Sequence, residues 1–137
     1  MTTRKDLRRP RDEKWDLLDA ALDLSTYSAN VLSGRKFTDR PQFGKRFQRM
    51  DDLATSIYHN IRVANRKDLR RPEEQAERER LQAETIDICE MLITDIEISK
   101  ALVHMRAKQL LTWTDKIRNI EERIKGWRDS DRKRQGL

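Results

Sequence analysis

An apolar stripe at helical spacing runs through residues 43–65 and restricts the possible folds more than any other feature of this sequence. Its members are Phe47, Met50, Ala54, Ile57, Ile61 and Ala64. They recur at intervals of three and four residues, which is the period of one face of an α-helix. A helix with one apolar face must bury that face, so this segment predicts helix-on-helix packing.

The composition extends this prediction to the whole chain. Of the 137 residues, 39% are charged and 36% are apolar, with only four glycines and three prolines. Few helix-breaking residues among many Glu, Arg, Lys, Leu and Ala favour an all-α protein. The low apolar share is typical of long helices with charged outer faces, or of a subunit that buries further surface in an oligomer.

Helix-breaking residues and the spacing of the apolar residues divide the chain into four predicted helices. Helix-breaking residues lie at Pro10, within 34–44 and at Pro72. The last apolar stripe would include Arg106 if it were extended backwards, so we expect a turn between the third and fourth helices near 102–106. The helices are expected at about 11–33, 44–69, 73–102 and 106–130, after a flexible basic arm at 1–10 and before a frayed basic tail at 131–137. Short links predict an antiparallel up-down four-helix bundle, which we expect to assemble into a homo-oligomer.

Charge is strongly segregated along the chain. Residues 73–99 carry nine acids against two arginines, whereas residues 35–49 carry six bases against one acid. Residues 62–71 and 100–128 are also basic, with five bases against one acid and eight against three. A basic shell around one acidic helix favours contact with nucleic acid or an acidic protein surface. The alternative is a solvated surface in which charges pair between subunits, with the acidic helix against a neighbour's basic helix.

The candidate binding residues are basic side chains on predicted helix faces. Arg62, Arg66 and Arg70 would form one line on a helix, away from the apolar stripe, with Asp68 as the only acid nearby. The bases at 45–49 fit a contact between subunits equally well. The residues assigned to nucleic-acid or polymerase binding are Arg62, Arg66, Lys67, Arg70, Arg71, Lys45, Arg46, Arg49, Lys116, Arg118, Arg123 and Lys125.

The string RKDLRRP occurs twice, at Arg4–Pro10 and at Arg66–Pro72. In both places it precedes the start of a predicted helix. Two matched anion-binding arms and two similar helix-leading turns both remain compatible with this repetition.

Residues that could support catalysis or hold a metal are sparse in this sequence. It has no glycine-rich phosphate loop, and neither His59 nor His104 has an acid three residues before it. Cys89 is the only cysteine, which favours a packing role over a metal site. We therefore expect a protein that is not an enzyme and uses no cofactor or metal. The lack of an apolar leader or membrane-length apolar run favours a cytoplasmic protein without a membrane partner.

Four segments of the sequence carry a family resemblance. They are FGKRFQ, LATSIYHNIRVAN, CEMLITDIEISKAL and the helix of Trp113 and Trp127 that ends in WRDSDRKR. Together they resemble the accessory variability determinant (Avd) proteins of diversity-generating retroelements, which belong with the four-helix-bundle proteins encoded in 23S ribosomal RNA intervening sequences. The resemblance extends over about residues 40–134, and the first predicted helix matches only in type.

This resemblance implies a homopentameric barrel of four-helix subunits with a basic surface. It also implies a non-catalytic partner of the retroelement's reverse transcriptase, needed when template RNA is copied into mutagenic cDNA. The predicted function is therefore to bind that enzyme and its template RNA or cDNA through basic surfaces. A structural or protein-interaction bundle of the intervening-sequence type, with no polymerase partner, is the alternative.

Overall fold

Five α-helices and one 3₁₀ turn account for most of residues 13–136, the part of the chain that this computed structural model describes, with side chains described from residue 16. The elements are α1 (Glu13–Leu32), α2 (Arg35–Thr38), the 3₁₀ turn Pro41–Phe43, α3 (Gly44–Asn65), α4 (Pro72–Leu102) and α5 (Ala107–Arg134). No β-strand occurs within these limits, so the prediction of an all-helical protein is confirmed. The predicted arm at 1–10, the first copy of RKDLRRP and the predicted helix start at residue 11 lie outside the described residues.

The apolar core lies between the four long helices. α1 packs against α3 and α5, and α4 packs against the same two helices. All six members of the predicted α3 stripe are buried, which confirms the periodicity argument for that helix. In α5, the stripe is buried from Trp113 to Ile124 and half-buried at Trp127. The contributions of α3 and α5 to the core therefore follow the apolar stripes of these two helices in the sequence.

Trp113 joins α5 to α1 inside this core. Its ring is fully buried, and its Nε1–H donates a 2.9 Å hydrogen bond to the hydroxyl of Ser28, which is also fully buried. The ring of Tyr27 meets it edge-on, with the two centroids 6.5 Å apart. Because a buried indole N–H needs a partner, this bond fixes the level at which α5 lies along α1.

The segment from Gly34 to Gly44 was expected to be a loop, and it instead contains α2 and the 3₁₀ turn. Burial of Phe37 accounts for the difference, since its ring meets that of Phe47 edge-on with centroids 4.9 Å apart. Phe43 adds a third ring, 6.2 Å from Phe47. This aromatic cluster anchors the connection between α1 and α3 to the core.

Two helix ends differ from the prediction, whereas the connection from α4 to α5 falls within the expected interval. α3 ends at Asn65 rather than near residue 69. The Asp68 carboxylate accepts a 2.9 Å hydrogen bond from the backbone N–H of Arg70, which favours a turn over continued helix. α5 continues to Arg134, so the expectation of a frayed tail from residue 131 is wrong for residues 131–134.

A buried polar cluster holds the last turns of α5 against the start of α4. The guanidinium of Arg78 donates two hydrogen bonds to the carboxylate of Asp131, at 2.7 and 2.8 Å, and Gln82 donates a third at 2.9 Å. Arg78 is 2% exposed, and its guanidinium lies over the ring of Trp127, 4.8 Å from the centroid. Because a buried charge needs its counter-ion, α5 stays helical through residue 131.

We expect Asp131→Ala to lower the free energy of unfolding by about 3–5 kcal/mol, because it leaves the Arg78 charge buried without a counter-ion. Urea denaturation followed by far-UV circular dichroism measures this loss. Asp129→Ala is the matched control, since it removes the same charge from the same turn at a side chain that is 63% exposed. Comparable losses in the two variants would contradict a structural role for the buried pair.

Candidate nucleic-acid interface

The bases at the start of α3 are largely committed to a contact inside the chain. Asp95 of α4 is buried, and Arg49 donates hydrogen bonds to both of its carboxylate oxygens, with Nε 2.9 Å from Oδ2. These hydrogen bonds raise the pKa of Arg49. Nη1 of Arg46 lies 3.7 Å from the same carboxylate. Two of the three predicted bases therefore tie α3 to α4, whereas Lys45 is exposed with no ion pair to the residues described.

The line of arginines predicted at the end of α3 is interrupted. Arg62 lies in the last turn of α3 and Arg66 caps its end, and both are exposed. Arg70 follows the helix end, and its guanidinium donates to both carboxylate oxygens of Asp68 at 3.1 and 3.2 Å. These contacts lower the pKa of Asp68. The expectation of one helical line through all three arginines is wrong, because the turn at Asp68 takes Arg70 off the helix.

Lys67 and Arg71 also have acidic neighbours. Nε of Arg71 lies 3.6 Å from Oε2 of Glu74. Hydrogen bonding from Arg80 lowers the pKa of Glu77, and the charge of Lys67 contributes to the lowering. In the sequence, Asp68 is the one acid within this basic group. The fold adds Glu74 and Glu77 from the first turns of α4. The group is therefore less strongly cationic than its sequence indicates.

Arg62 and Arg66 remain accessible at this end of the molecule. Nη1 of Arg62 donates a long hydrogen bond of 3.4 Å to the hydroxyl of Tyr58. Neither arginine forms an ion pair with an acid in residues 13–136. They lie one helical turn apart on the outer side of α3, which is a suitable spacing for two successive anionic groups.

Lys116 on α5 bridges to α1 rather than facing solvent freely. Its Nζ lies 2.6 Å from the carboxylate of Asp23 and 5.2 Å from the centroid of the Tyr27 ring. Burial raises the pKa of Tyr27, and the nearby charge of Lys116 opposes the rise. This predicted binding residue therefore has a role in joining two helices.

The other three bases predicted on α5 lie on its outer surface. Lys125 is half-buried, with Nζ 3.5 Å from the carboxylate of Glu122 one turn earlier. Arg118 and Arg123 are exposed, and the described part of the chain offers neither of them an acidic partner. These two arginines add to the accessible positive charge.

Several acidic side chains of α4 form ion pairs with bases of the same chain. Arg80 pairs with Glu77 at 2.5 Å and with Glu84 at 3.1 Å, and these acids raise its pKa. Arg132 of α5 pairs with Glu79 at 2.5 Å. These pairs use acidic side chains that the sequence had suggested for a contact between subunits.

A further basic cluster is not apparent from the sequence. Arg35 and Lys36 of α2 line the same pocket as Arg106, which immediately precedes α5. The net positive charge of residues 35–49 was the only available signal. It could not indicate that two of these bases meet a residue about seventy positions later in the chain.

Metal-ligand clusters and reactive thiols are not found in the described residues. No set of three or more His, Cys, Asp or Glu side chains in residues 13–136 could hold a metal ion. Cys89 is fully buried, and burial raises the pKa of its thiol to about 12. The helices described here also include none with both the length and the apolar character needed to cross a membrane.

Comparisons with known proteins identify no relatives of this chain. No protein-family model, no curated protein and no solved structure matches it. The resemblance to Avd proteins therefore depends on the four sequence segments alone.

One carboxylate in the contact between α4 and α5 is buried without a full set of partners. Glu121 is 4% exposed, and its Oε2 accepts no hydrogen bond from the described residues. Burial raises its pKa above the ordinary 4.5, the charge of Glu90 adds to the rise, and Lys125 opposes it. The folded state thus holds this proton more tightly than the unfolded state. Stability from this group is lost as the pH rises above 4.5 and through the raised pKa.

We expect Glu121→Gln to be more stable than the unaltered protein at neutral pH, because glutamine removes the buried charge. The difference should shrink as the pH falls through the raised pKa and below 4.5, where the glutamate becomes protonated in both states. Urea midpoints measured over a pH series test this. Glu122→Gln, at a neighbouring side chain that is 73% exposed, should show no such pH-dependent gain. A gain that is constant with pH would contradict the assignment to Glu121.

Proposed function

We propose that this chain is a non-catalytic accessory protein of a diversity-generating retroelement. It binds the retroelement's reverse transcriptase and its template RNA or cDNA in the cytoplasm, through basic surfaces on helical subunits. The observation that carries the proposal is that Arg62 and Arg66 are exposed and pair with no acid in residues 13–136. Both lie in or directly after one of the segments that resemble Avd proteins.

The family-like segments lie on three of the long helices. FGKRFQ covers the start of α3, and LATSIYHNIRVAN covers residues 53–65 at its end. CEMLITDIEISKAL is the C-terminal half of α4, and WRDSDRKR is the end of α5. Two of these segments contain Asp95 and Asp131, the acids that connect α4 to α3 and α5. The resemblance thus includes positions that hold the helices together, which supports a shared architecture.

We propose an antiparallel up-down arrangement of the four long helices. Asp23 contacts Lys116 and Ser28 contacts Trp113, so later residues of α1 meet earlier residues of α5. The start of α4 likewise meets the end of α5. This relation is the one expected for neighbouring helices of opposite direction in a bundle with short connections.

We further propose that these subunits assemble into the homopentamer that the resemblance implies. Apolar side chains exposed on α4 and α5 support assembly: Met91 is 51% exposed, Ile98 is 40% exposed and Leu111 is 61% exposed. Leu111 also lines a groove of about 680 Å³ between these two helices. Exposed apolar side chains beside a groove are typical of a surface that another protein molecule covers.

In this proposal Arg62 and Arg66 neutralise phosphates without reading bases. Each neutralised phosphate releases counter-ions, so affinity falls steeply as salt rises. Contacts to phosphate position a protein on nucleic acid and carry no direct sequence information. Such binding suits an accessory protein that holds RNA or cDNA without regard to its sequence.

We expect Arg62→Gln combined with Arg66→Gln to weaken binding of single-stranded RNA and to reduce its salt dependence. Loss of two phosphate contacts should lower the slope of log affinity against log salt by about 1.4. Fluorescence anisotropy with labelled RNA over a salt series measures both quantities.

The matched control is Arg80→Gln combined with Arg132→Gln. It removes the same total charge from side chains that already pair with acids of α4, so the slope should change much less. If the first double variant bound RNA with unchanged affinity and slope, the assignment of this surface to Arg62 and Arg66 would be wrong.

The polymerase half of the proposal has its own test. The gene should lie beside a reverse transcriptase gene and a pair of near-identical template and variable repeats. When the two proteins are produced together, a tag on this chain should retain the reverse transcriptase. Failure to retain it under conditions where both proteins are folded would remove the polymerase from the proposal.

The alternative function, a structural or protein-interaction bundle, is favoured by one observation. Several predicted binding residues are engaged within the chain, including Arg49 with Asp95 and Lys116 with Asp23. On this alternative, positive charge mainly holds helices together and keeps the surface hydrated. It predicts that the protein retains no RNA even at low salt, whereas the leading proposal predicts retention.

A further inference from the structure

A pocket near the start of α5 gathers cations from two distant parts of the chain. It has a volume of about 380 Å³ and lies between the end of α1, α2 and the first turn of α5. Arg35 and Lys36 line it from α2, and Arg106 lines it from the residue before α5. This volume lies near the lower end of the range for small-molecule sites, which begins at about 300 Å³.

The positive charge of this pocket is not compensated. No Asp or Glu is among its lining residues, and no ion pair joins Arg35, Lys36 or Arg106 to an acid within the described chain. All three side chains are exposed. Arg49, by contrast, is held by the carboxylate of Asp95. Cations that share one space repel one another, and a bound anion would relieve that repulsion.

The other walls of the pocket suit the remainder of a phosphate ester. Asn30 and Gln109 line it and can donate amide N–H bonds. Val31 and Phe37, both buried, form an apolar floor. The N-terminus of α5, beside Arg106, adds partial positive charge, and no acid in the first turn of this helix offsets it.

We infer that this pocket binds a phosphomonoester, a phosphate attached through one oxygen only. At neutral pH such a group carries a charge of about −1.5 to −2 and presents three terminal oxygens. It therefore matches a pocket lined by three cations better than a backbone phosphodiester, which carries a single charge. Arginine donates strong, charge-assisted hydrogen bonds to phosphate oxygens, so Arg35 and Arg106 supply most of the recognition.

Two sources present this chemistry: the phosphorylated 5′ end of a nucleic acid, and a free nucleotide. The first rests on the proposed function, because the pocket would hold the end of an RNA or cDNA whose other phosphates meet Arg62 and Arg66. The second is independent of that function. Binding measurements with defined ligands separate them.

The test compares a short oligoribonucleotide carrying a 5′-phosphate with the same oligoribonucleotide carrying a 5′-hydroxyl. We expect the phosphorylated form to bind the unaltered protein roughly tenfold more tightly, which corresponds to about one charge-assisted hydrogen bond. A 5′-hydroxyl form longer by one nucleotide controls for the added charge and should bind like the shorter hydroxyl form. Calorimetric titration with adenosine monophosphate tests the free nucleotide.

Two double variants test whether the preference for the 5′-phosphate arises in this pocket. Arg35→Gln combined with Arg106→Gln should remove the preference for the 5′-phosphate. Lys133→Gln combined with Arg134→Gln removes the same charge about 40 Å away at the other end of α5, and should preserve the preference. All four side chains are exposed, so both double variants should fold, which circular dichroism verifies. The comparison of the phosphorylated and hydroxyl oligoribonucleotides uses the unaltered protein, so it does not depend on the folding of any variant.

The outcomes distinguish this inference from the proposed function. Equal binding of the phosphorylated and hydroxyl forms, without binding of adenosine monophosphate, would overturn the pocket assignment and leave salt-dependent RNA binding intact. Binding of adenosine monophosphate together with equal binding of the phosphorylated and hydroxyl forms would support the pocket as a nucleotide site, and would overturn its assignment to the 5′ end of a nucleic acid. A preference that survives in the variant of Arg35 and Arg106 would also overturn the assignment.

Discussion

The buried pair of Arg78 and Asp131 fixes how α5 lies along α4. Because a guanidinium that is 2% exposed is costly to bury without a carboxylate, sliding one helix past the other would leave a buried charge unpaired. The contact of Arg49 with Asp95 does the same for α3 against α4. Apolar stripes fill the space between the helices, and these ion pairs set their register. A chain with only 36% apolar residues thus depends on charge for a unique packing.

The basic side chains of this chain fall into two groups, those paired with acids of other helices and those left exposed. Side chains such as Arg49 and Arg78 hold helices together, and their counter-ions are more than forty residues away in the chain. The exposed bases Arg62 and Arg66 lie at the end of α3, while Arg106 precedes α5 and lines a pocket with two bases of α2. The acids concentrate on α4. The accessible positive charge is therefore divided between two places in the structure.

Features that repeat within one helix could be predicted from the sequence, and features that depend on other helices could not. The burial of Phe47 through Ala64 follows from spacing, because helical period is a local property. The end of α5 depends on Arg78, which lies 53 residues before Asp131, and no local pattern announces that pairing. The same limit applies to the candidate sites. The sequence singles out twelve bases, yet only the fold separates those engaged by acids from those left accessible.

The position of Asp131 also sets the order in which the fold can be completed while the chain leaves the ribosome. α4 emerges first, and Arg78 then faces water without its counter-ion. If the turn of Trp127 packed over Arg78 before Asp131 had been added, it would bury that guanidinium alone, at a cost of several kcal/mol. This end of the contact between α4 and α5 can therefore close only after residue 131 has emerged. Until then, the ring of Trp127 has no stable place to pack against α4.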